Sequence, residues 1–104
     1  MNGLVSEIES IVNQISDVVK MFYQQNTKEA YQKLDGILGD LMGVVDQIHR
    51  YQTEHPECGI DMGDLMEALK ETLSAMEEKD AILTADVLKY EVNEKLQMIM
   101  DAMN

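Results

Sequence analysis

The sequence is poor in the residues that shape β-rich and disulfide-linked proteins. Among its 104 residues there is no Trp, one Phe, one Pro and one Cys. Scarce aromatic residues and few β-branched runs argue against a β-sandwich. The single cysteine, Cys58, can form no disulfide within the chain. A lone cysteine suits a reducing compartment, so we expect a cytoplasmic protein.

Long hydrophobic runs and positive charges are scarce as well. No stretch of about 18 apolar residues occurs, so we expect no membrane span. Residues 1–7 lack the basic start and apolar run of a signal peptide. Eight Lys and Arg face twenty Asp and Glu, which gives a net charge of −12. Because this charge repels phosphate groups, we expect neither nucleic-acid nor membrane binding, whereas a basic partner would be attracted.

Apolar residues recur with the spacing of amphipathic helices. In a first helix, predicted over residues 4–24, the steps alternate between four and three, which is the heptad period. A second helix should follow Asn26, which can form a capping box with Glu29. Its apolar stripe continues to Tyr51, and residues 55–59 then break the helix with Pro and Gly.

Two further helices follow this break. The third should begin after the cap Asp61, and the fourth should span residues 81–102 after the cap Asp80. Short polar turns make consecutive helices antiparallel, so the sequence predicts one all-α domain, residues 1–104, in which two αα-hairpins form an antiparallel four-helix bundle. The third helix should bury one stripe: Met62, Leu65, Met66, Leu69, Leu73 and Met76. The predicted core of the bundle includes Ile11, Ile15, Leu34, Leu41, Val44, Leu69, Leu88 and Ile99.

Three glycines lie inside the second helix. Gly36, Gly39 and Gly43 each cost about 1 kcal/mol relative to Ala in a helix interior. Close approach of another backbone, or a bend in the helix, would explain them.

Side chains suited to catalysis or metal binding are few. His49, His55 and Cys58 lie near Asp46 and Asp61 in the sequence, but the paired short ligand spacings of zinc sites are missing. The single Asp-x-x-His run does not supply the repeated motifs of a di-iron bundle. Cys58 and His55 are the one nucleophile–base pair, and no third group is available to orient the histidine. We therefore predict a non-enzymatic protein with no catalytic residue, cofactor or metal.

His49 leaves one alternative of another class. Histidine-phosphotransfer domains are also small helical bundles, but Lys and Gly follow their histidine, whereas Arg50 and Tyr51 follow His49. A phosphotransfer-like signalling domain is thus one alternative to a binding module, and a purely structural homodimer is another.

The fourth helix carries a second apolar stripe. At about 100° per residue, Leu83, Val87 and Tyr90 lie opposite the stripe that includes Leu88. Either this second stripe is an exposed patch of the kind that marks interfaces, or the helix is central and covered on both sides. We predict that a protein partner or a second copy binds here, through Leu83, Asp86, Val87, Tyr90 and Glu91.

Methionines form a second candidate surface. Met62 and Met66 begin the third helix, and Met98, Met100 and Met103 end the fourth, so these helix ends should meet in an antiparallel hairpin. Such residues can fill a core or can adapt to varied apolar partners.

Two segments resemble a known family. Residues 78–92, EKDAILTADVLKYEV, look like its signature segment, and residues 26–34, NTKEAYQKL, are similar to its first hairpin turn. The family consists of small uncharacterised bacterial helical-bundle proteins, and the resemblance implies special interest in Asp86, Tyr90 and Glu91. More loosely, the layout and acidity resemble four-helix flagellar export chaperones, which implies a chaperone-like binder of a helical partner.

Overall fold

Helices account for nearly all of the described chain. In this computed structural model, α1 spans Gly3–Tyr23, α2 spans Thr27–Glu54 and α3 spans Gly63–Glu77. A 3-10 turn, Pro56–Cys58, lies between α2 and α3. The structure describes residues 3–103, so residues 1–2 of the N-terminal segment considered above lie outside it, as does residue 104.

A fourth helical arm, residues 81–103, completes the bundle. It consists of α4 (Ala81–Val87), a π-helical turn (Leu88–Val92) and α5 (Asn93–Met103). α1 packs against α2 on one side and against the fourth arm on another, and α3 packs against the fourth arm. Residues 3–103 contain no strand, so the predicted all-α helical bundle is confirmed.

Polar contacts fix the antiparallel order of α1 and the fourth arm. Tyr23, the last residue of α1, contacts Asp86 near the start of the arm. Ser16, seven residues earlier in α1, contacts Asn93 seven residues further along the arm. The Asn93 side chain also donates a hydrogen bond of 3.3 Å to the carbonyl of Val12.

The predicted core is buried in full. All eight residues named above are at most 6% exposed, and they form one cluster with Phe22, Val18 and Leu65. The heptad spacing of the apolar residues in α1 and α2 thus leads directly to the packing between them.

The predicted stripe of α3 is wrong at two positions. Met66 and Leu73 are exposed, whereas Ala68, Thr72 and Ala75 are buried. The reason is that α3 turns its small side chains towards the bundle, which lets it approach the fourth arm closely. The buried hydroxyl of Thr72 donates a hydrogen bond of 2.9 Å to the carbonyl of Ala68, so its burial leaves no polar group unpaired.

The two hairpin turns have the same backbone hydrogen bonds. After α1, the N–H groups of residues 26 and 25 donate to the carbonyls of residues 21 and 22. After α3, the N–H groups of residues 80 and 79 donate to the carbonyls of residues 75 and 76. Both turns are therefore Schellman motifs. Gln25 and Lys79 occupy the left-handed position, with φ values of 67° and 57°.

The helix caps differ between the halves. The Asp80 carboxylate accepts a hydrogen bond from the Leu83 N–H at 3.0 Å and caps α4 as predicted. The cap predicted at Asp61 is wrong by one residue, because Met62 occupies the cap position of α3. The Asp61 carboxylate still accepts a hydrogen bond from the Gly63 N–H at 2.8 Å. The capping box predicted for Asn26 and Glu29 is wrong, since Asn26 makes no capping side-chain hydrogen bond. Its ψ of 54° lies outside the extended region that directs a cap side chain to the first turn.

The three glycines of α2 have no close neighbour. All three are exposed, and a Cβ atom added to any of them would meet nothing within 4 Å. Close approach of another backbone within residues 3–103 therefore does not explain Gly36, Gly39 and Gly43.

The π turn aligns the buried faces of α4 and α5. Thr84, Leu88, Val92, Leu96 and Met100 are all buried and follow one another at steps of four. In an uninterrupted α-helix each step of four residues turns the side-chain direction by about 40° around the helix axis. From Thr84 to Met100 the buried face would therefore turn by about 160°. The wider π turn accommodates one extra residue and so removes about 100° of this rotation. As a result, both α4 and α5 keep their buried faces against the core.

Candidate partner-binding site

The residues predicted to bind a partner lie at different depths. Leu83 and Tyr90 are 42% and 59% exposed, and Asp86 and Glu91 are half-buried. Val87 is only 5% exposed, so the prediction that it belongs to an exposed stripe is wrong. The physical reason is that α4 packs against α3 as well as against α1, which covers the arm on two sides.

Two exposed apolar residues not selected from the sequence lie beside Leu83 and Tyr90. Ile82 is 54% exposed and stands one helical turn before Asp86, while Tyr23 is 42% exposed and reaches Asp86 from α1. The Lys89 ammonium lies over the rings of both Tyr23 and Tyr90, at 5.9 and 5.0 Å from their centroids. These contacts gather Tyr23 and Tyr90 around Asp86 and Lys89, and Ile82 and Leu83 are exposed on the preceding turn of the arm. We call these four exposed side chains the outer patch: Tyr23, Ile82, Leu83 and Tyr90.

A hydrogen-bonded pair forms the polar centre of the outer patch. The Tyr23 hydroxyl donates a hydrogen bond of 2.5 Å to a carboxylate oxygen of Asp86. This bond, together with burial and the negative charge of Asp86, raises the pKa of Tyr23 to about 12. Asp86 therefore already has a donor within the chain, and a partner that covered it would not have to supply one.

A groove between α3 and α4 adjoins the outer patch. Its volume is about 360 Å³. Leu83 and Val87 line it from α4, and Ser74 and Ala75 line it from α3. The groove exists because Ser74 and Ala75 are too small to fill the space opposite Leu83.

Carboxylates surround this groove. Glu67, Glu71 and Glu78 line it from α3, together with Lys70. Across the helix contact, Glu71 also shares a hydrogen bond with Glu91 of the π turn. This bond, burial and the charge of Glu71 raise the pKa of Glu91, against the opposing effect of Lys95. The groove thus combines an apolar floor with a strongly acidic edge.

Comparison with known proteins places the chain in a family. A family model described as a domain of unknown function, DUF8042, matches residues 1–102. The chain belongs to the DUF8042 family. The expectation of membership in a family of helical proteins without an assigned activity is thereby confirmed. Comparison with the curated proteins and with the solved structures found no match.

The histidines and the cysteine of this DUF8042 chain are not brought together at a site. The His55 ring stacks on Tyr51, with 4.4 Å between centroids, and pairs with Glu57 at 3.3 Å. Across residues 3–103, no group of three His, Cys, Asp or Glu side chains is arranged to hold a metal ion. His49 is exposed on α2, and the phosphotransfer alternative stays a prediction.

The methionine-rich end of the DUF8042 chain serves the core in part. Met62 and Met100 are buried, Met103 is half-buried, and Met66 and Met98 are exposed. In the described part of the chain, each helix is too short or too polar to cross a bilayer.

Proposed function

We propose that this protein is a non-enzymatic interaction module that binds a protein partner through the outer patch. The observation that supports the proposal is the exposure of Ile82, Leu83 and Tyr90 on an arm already packed on two sides, next to the exposed Tyr23 at the end of α1. Covering apolar surface stabilises a complex by about 25 cal/mol per Å² before the costs of association. Contiguous exposed apolar side chains are for this reason a common mark of interfaces.

The composition of the outer patch suits the centre of an interface. Tyr23 and Tyr90 are of the residue type enriched among interface hot spots, because a large ring is buried at little entropic cost. Asp86 stays paired to Tyr23 when the surface is covered, so the patch does not leave a bare carboxylate behind. A specific interface buries about 800 Å² per partner, so the patch forms the centre of a larger contact.

The kind of partner is proposed from the shape of this surface and from the resemblance of the helix layout to flagellar export chaperones. Three of the four residues of the outer patch lie along the fourth arm, and the groove between this arm and α3 adjoins the patch at Leu83, which suits a helical partner. We propose a chaperone-like role, in which a helical subunit is held before use elsewhere. The bacterial origin and the cytoplasmic location inferred from the sequence belong to the same proposal.

The test is site-specific photocrosslinking in the native cell. A benzoylphenylalanine placed at position 82 or 90 should crosslink one defined protein, whereas the same group at exposed position Met42 should not. Leu83→Glu should abolish the adduct, because it places a charge in the apolar contact. Crosslinking of equal strength at position 42, or none at positions 82 and 90, would refute the proposal. An adduct of two copies of this chain would favour the structural homodimer instead.

A further inference from the structure

We infer that the groove between α3 and α4 receives a basic amphipathic helix of the partner, with apolar side chains against Leu83 and Val87 and with Lys or Arg side chains against the glutamates of α3. This inference rests on the proposed function and names the chemistry of the partner. It is argued from the floor of the groove, its edge, and the charge of the whole chain.

The floor of the groove can receive an apolar side chain. Ala75 and Val87 are almost fully buried and form its base, while Leu83 stands as a half-open wall between the groove and the outer patch. The volume of about 360 Å³ is near the lower end for ligand pockets, roughly 300–1,000 Å³. Because the groove is open along its length, it fits side chains from a helix that passes over it better than an enclosed small molecule.

The edge of the groove carries a patterned negative charge. Glu67, Glu71 and Glu78 share one side of α3, with Lys70 as the cation among the lining residues. At a rise of 1.5 Å per residue, the first two lie about 6 Å apart along the helix and the last two about 10 Å apart. Cations on a partner helix can match these distances with steps of four and seven residues. Such charge complementarity sets specificity and orientation.

Glu71 and Glu91 add a local reason for a cationic partner. The two carboxylates meet between α3 and the π turn, and the pKa of Glu91 is raised as a result. A guanidinium can donate hydrogen bonds from its planar fork to both oxygens of a carboxylate, and its positive charge would offset the negative charge gathered here. The positive charge of Lys95 lowers the pKa of Glu91, but the net shift of that pKa is upward.

The charge of the chain argues against a second copy as the occupant. A copy of this chain brings a net charge of −12 and a single arginine, Arg50, to an edge that is already acidic. Like charges opposed across an interface weaken association. A basic helix of a different protein meets the same edge with favourable charge, and is drawn to it before contact.

The experiment uses two designed peptides and the full chain. Both are amphipathic helices of about 18 residues with the same leucine stripe, and the polar positions are Lys and Arg in one and Glu and Gln in the other. Each carries a fluorescent label, and binding is followed by anisotropy at about 0.15 M salt. The basic peptide should bind, and the acidic peptide should not. Equal binding of the two would overturn the inference.

Matched variants distinguish binding in the groove from general electrostatic attraction to the acidic chain. The double variant Glu67→Gln/Glu71→Gln should weaken binding of the basic peptide by about tenfold or more. Glu7→Gln/Asp40→Asn removes the same charge from a groove between α1 and α2, and should change binding by less than about twofold. Leu83→Ser should likewise weaken binding, whereas Met98→Ser, at another exposed apolar position, should not. Equal losses in both double variants would overturn the inference.

The two proposals can fail separately. A crosslinked partner at positions 82 and 90 whose contacting segment is not basic would leave the proposed function standing and reject the basic helix. Groove-dependent binding of the basic peptide without any crosslinked protein at positions 82 and 90 would support the groove and reject the outer patch.

Discussion

The hydroxyl of Tyr23 and the carboxylate of Asp86 are joined by a hydrogen bond of 2.5 Å between residues 63 positions apart in the chain. The bond ties the last turn of α1 to α4 and lies in the middle of the exposed outer patch. This pair of side chains therefore connects the two hairpins and also keeps the Asp86 carboxylate of the patch hydrogen-bonded.

Removing the Tyr23 hydroxyl should destabilise the protein. We expect Tyr23→Phe to lower the free energy of unfolding by about 0.5–1.5 kcal/mol, near the lower value because the pair is partly in water. Tyr31→Phe is the matched control. Within residues 3–103 the buried Tyr31 hydroxyl has no hydrogen-bond partner, so its removal should leave stability unchanged or raise it. Urea denaturation measures both variants, and an equal loss in the two would contradict the assigned role of Tyr23.

A charge at position 87 should damage the fold, whereas one at position 82 should not. Val87→Glu would bury a carboxylate beside Glu71 and Glu78, and we expect a loss of more than about 2 kcal/mol. Ile82→Glu changes a neighbouring exposed residue and should stay within about 0.5 kcal/mol of the natural chain. Thermal denaturation followed by circular dichroism gives the comparison. A stable Val87→Glu variant would show that position 87 can reach water.

Mild acidification should stabilise the protein through Glu91. Because the shared hydrogen bond with Glu71 raises the pKa of Glu91, the folded chain binds a proton at a higher pH than the unfolded chain. The resulting stabilisation is complete below the pKa of an unfolded glutamate, about 4.3, and is lost as the pH rises through the folded-state pKa. Glu91→Gln should therefore be more stable at neutral pH and show a shallower pH dependence. Glu94→Gln, an exposed neighbour on α5, should keep the original slope.

Glycine should stabilise the turn between α3 and α4. Lys79 has a φ of 57°, in the left-handed region, which costs an ordinary residue about 1–2 kcal/mol. Part of the gain is offset by the flexibility of glycine in the unfolded chain, so we expect Lys79→Gly to stabilise by about 0.5–1 kcal/mol. Lys33→Gly, inside α2, should instead destabilise by about 1 kcal/mol. Chemical denaturation checks both, and destabilisation by Lys79→Gly would contradict the turn geometry.

Regular apolar spacing made most of the fold predictable. In α1 and α2 the large apolar residues lie along one side, and that side is the one buried, as Ile15, Leu34 and Leu41 illustrate. In α3 the same apolar spacing predicted that Met66 and Leu73 are buried, but both are exposed. The side of α3 that packs on the bundle carries Ala68, Thr72 and Ala75 instead. Small side chains contribute little to an apolar pattern, although they decide where two helices can approach.

The candidate site was predictable only along a single helix. Leu83 and Tyr90 followed from the second stripe of the fourth arm, and the spacing of Ile82, Asp86 and Tyr90 could have added Ile82. Tyr23 could not be found in this way, since its place beside Asp86 depends on how α1 lies against the arm. The groove was hidden for the same reason, because its two walls come from different helices.

The π turn also determines where the fourth arm can change in length. It contains one residue more than an α-helical turn, and that residue reconciles the buried faces of α4 and α5. Deletion of the exposed Lys89 would close the turn into a regular α-helix and leave both faces on the core. The same deletion beside Leu96 would rotate everything after it by about 100° and expose Ile99. We therefore expect the arm to tolerate the loss of one residue at the turn but not beyond it.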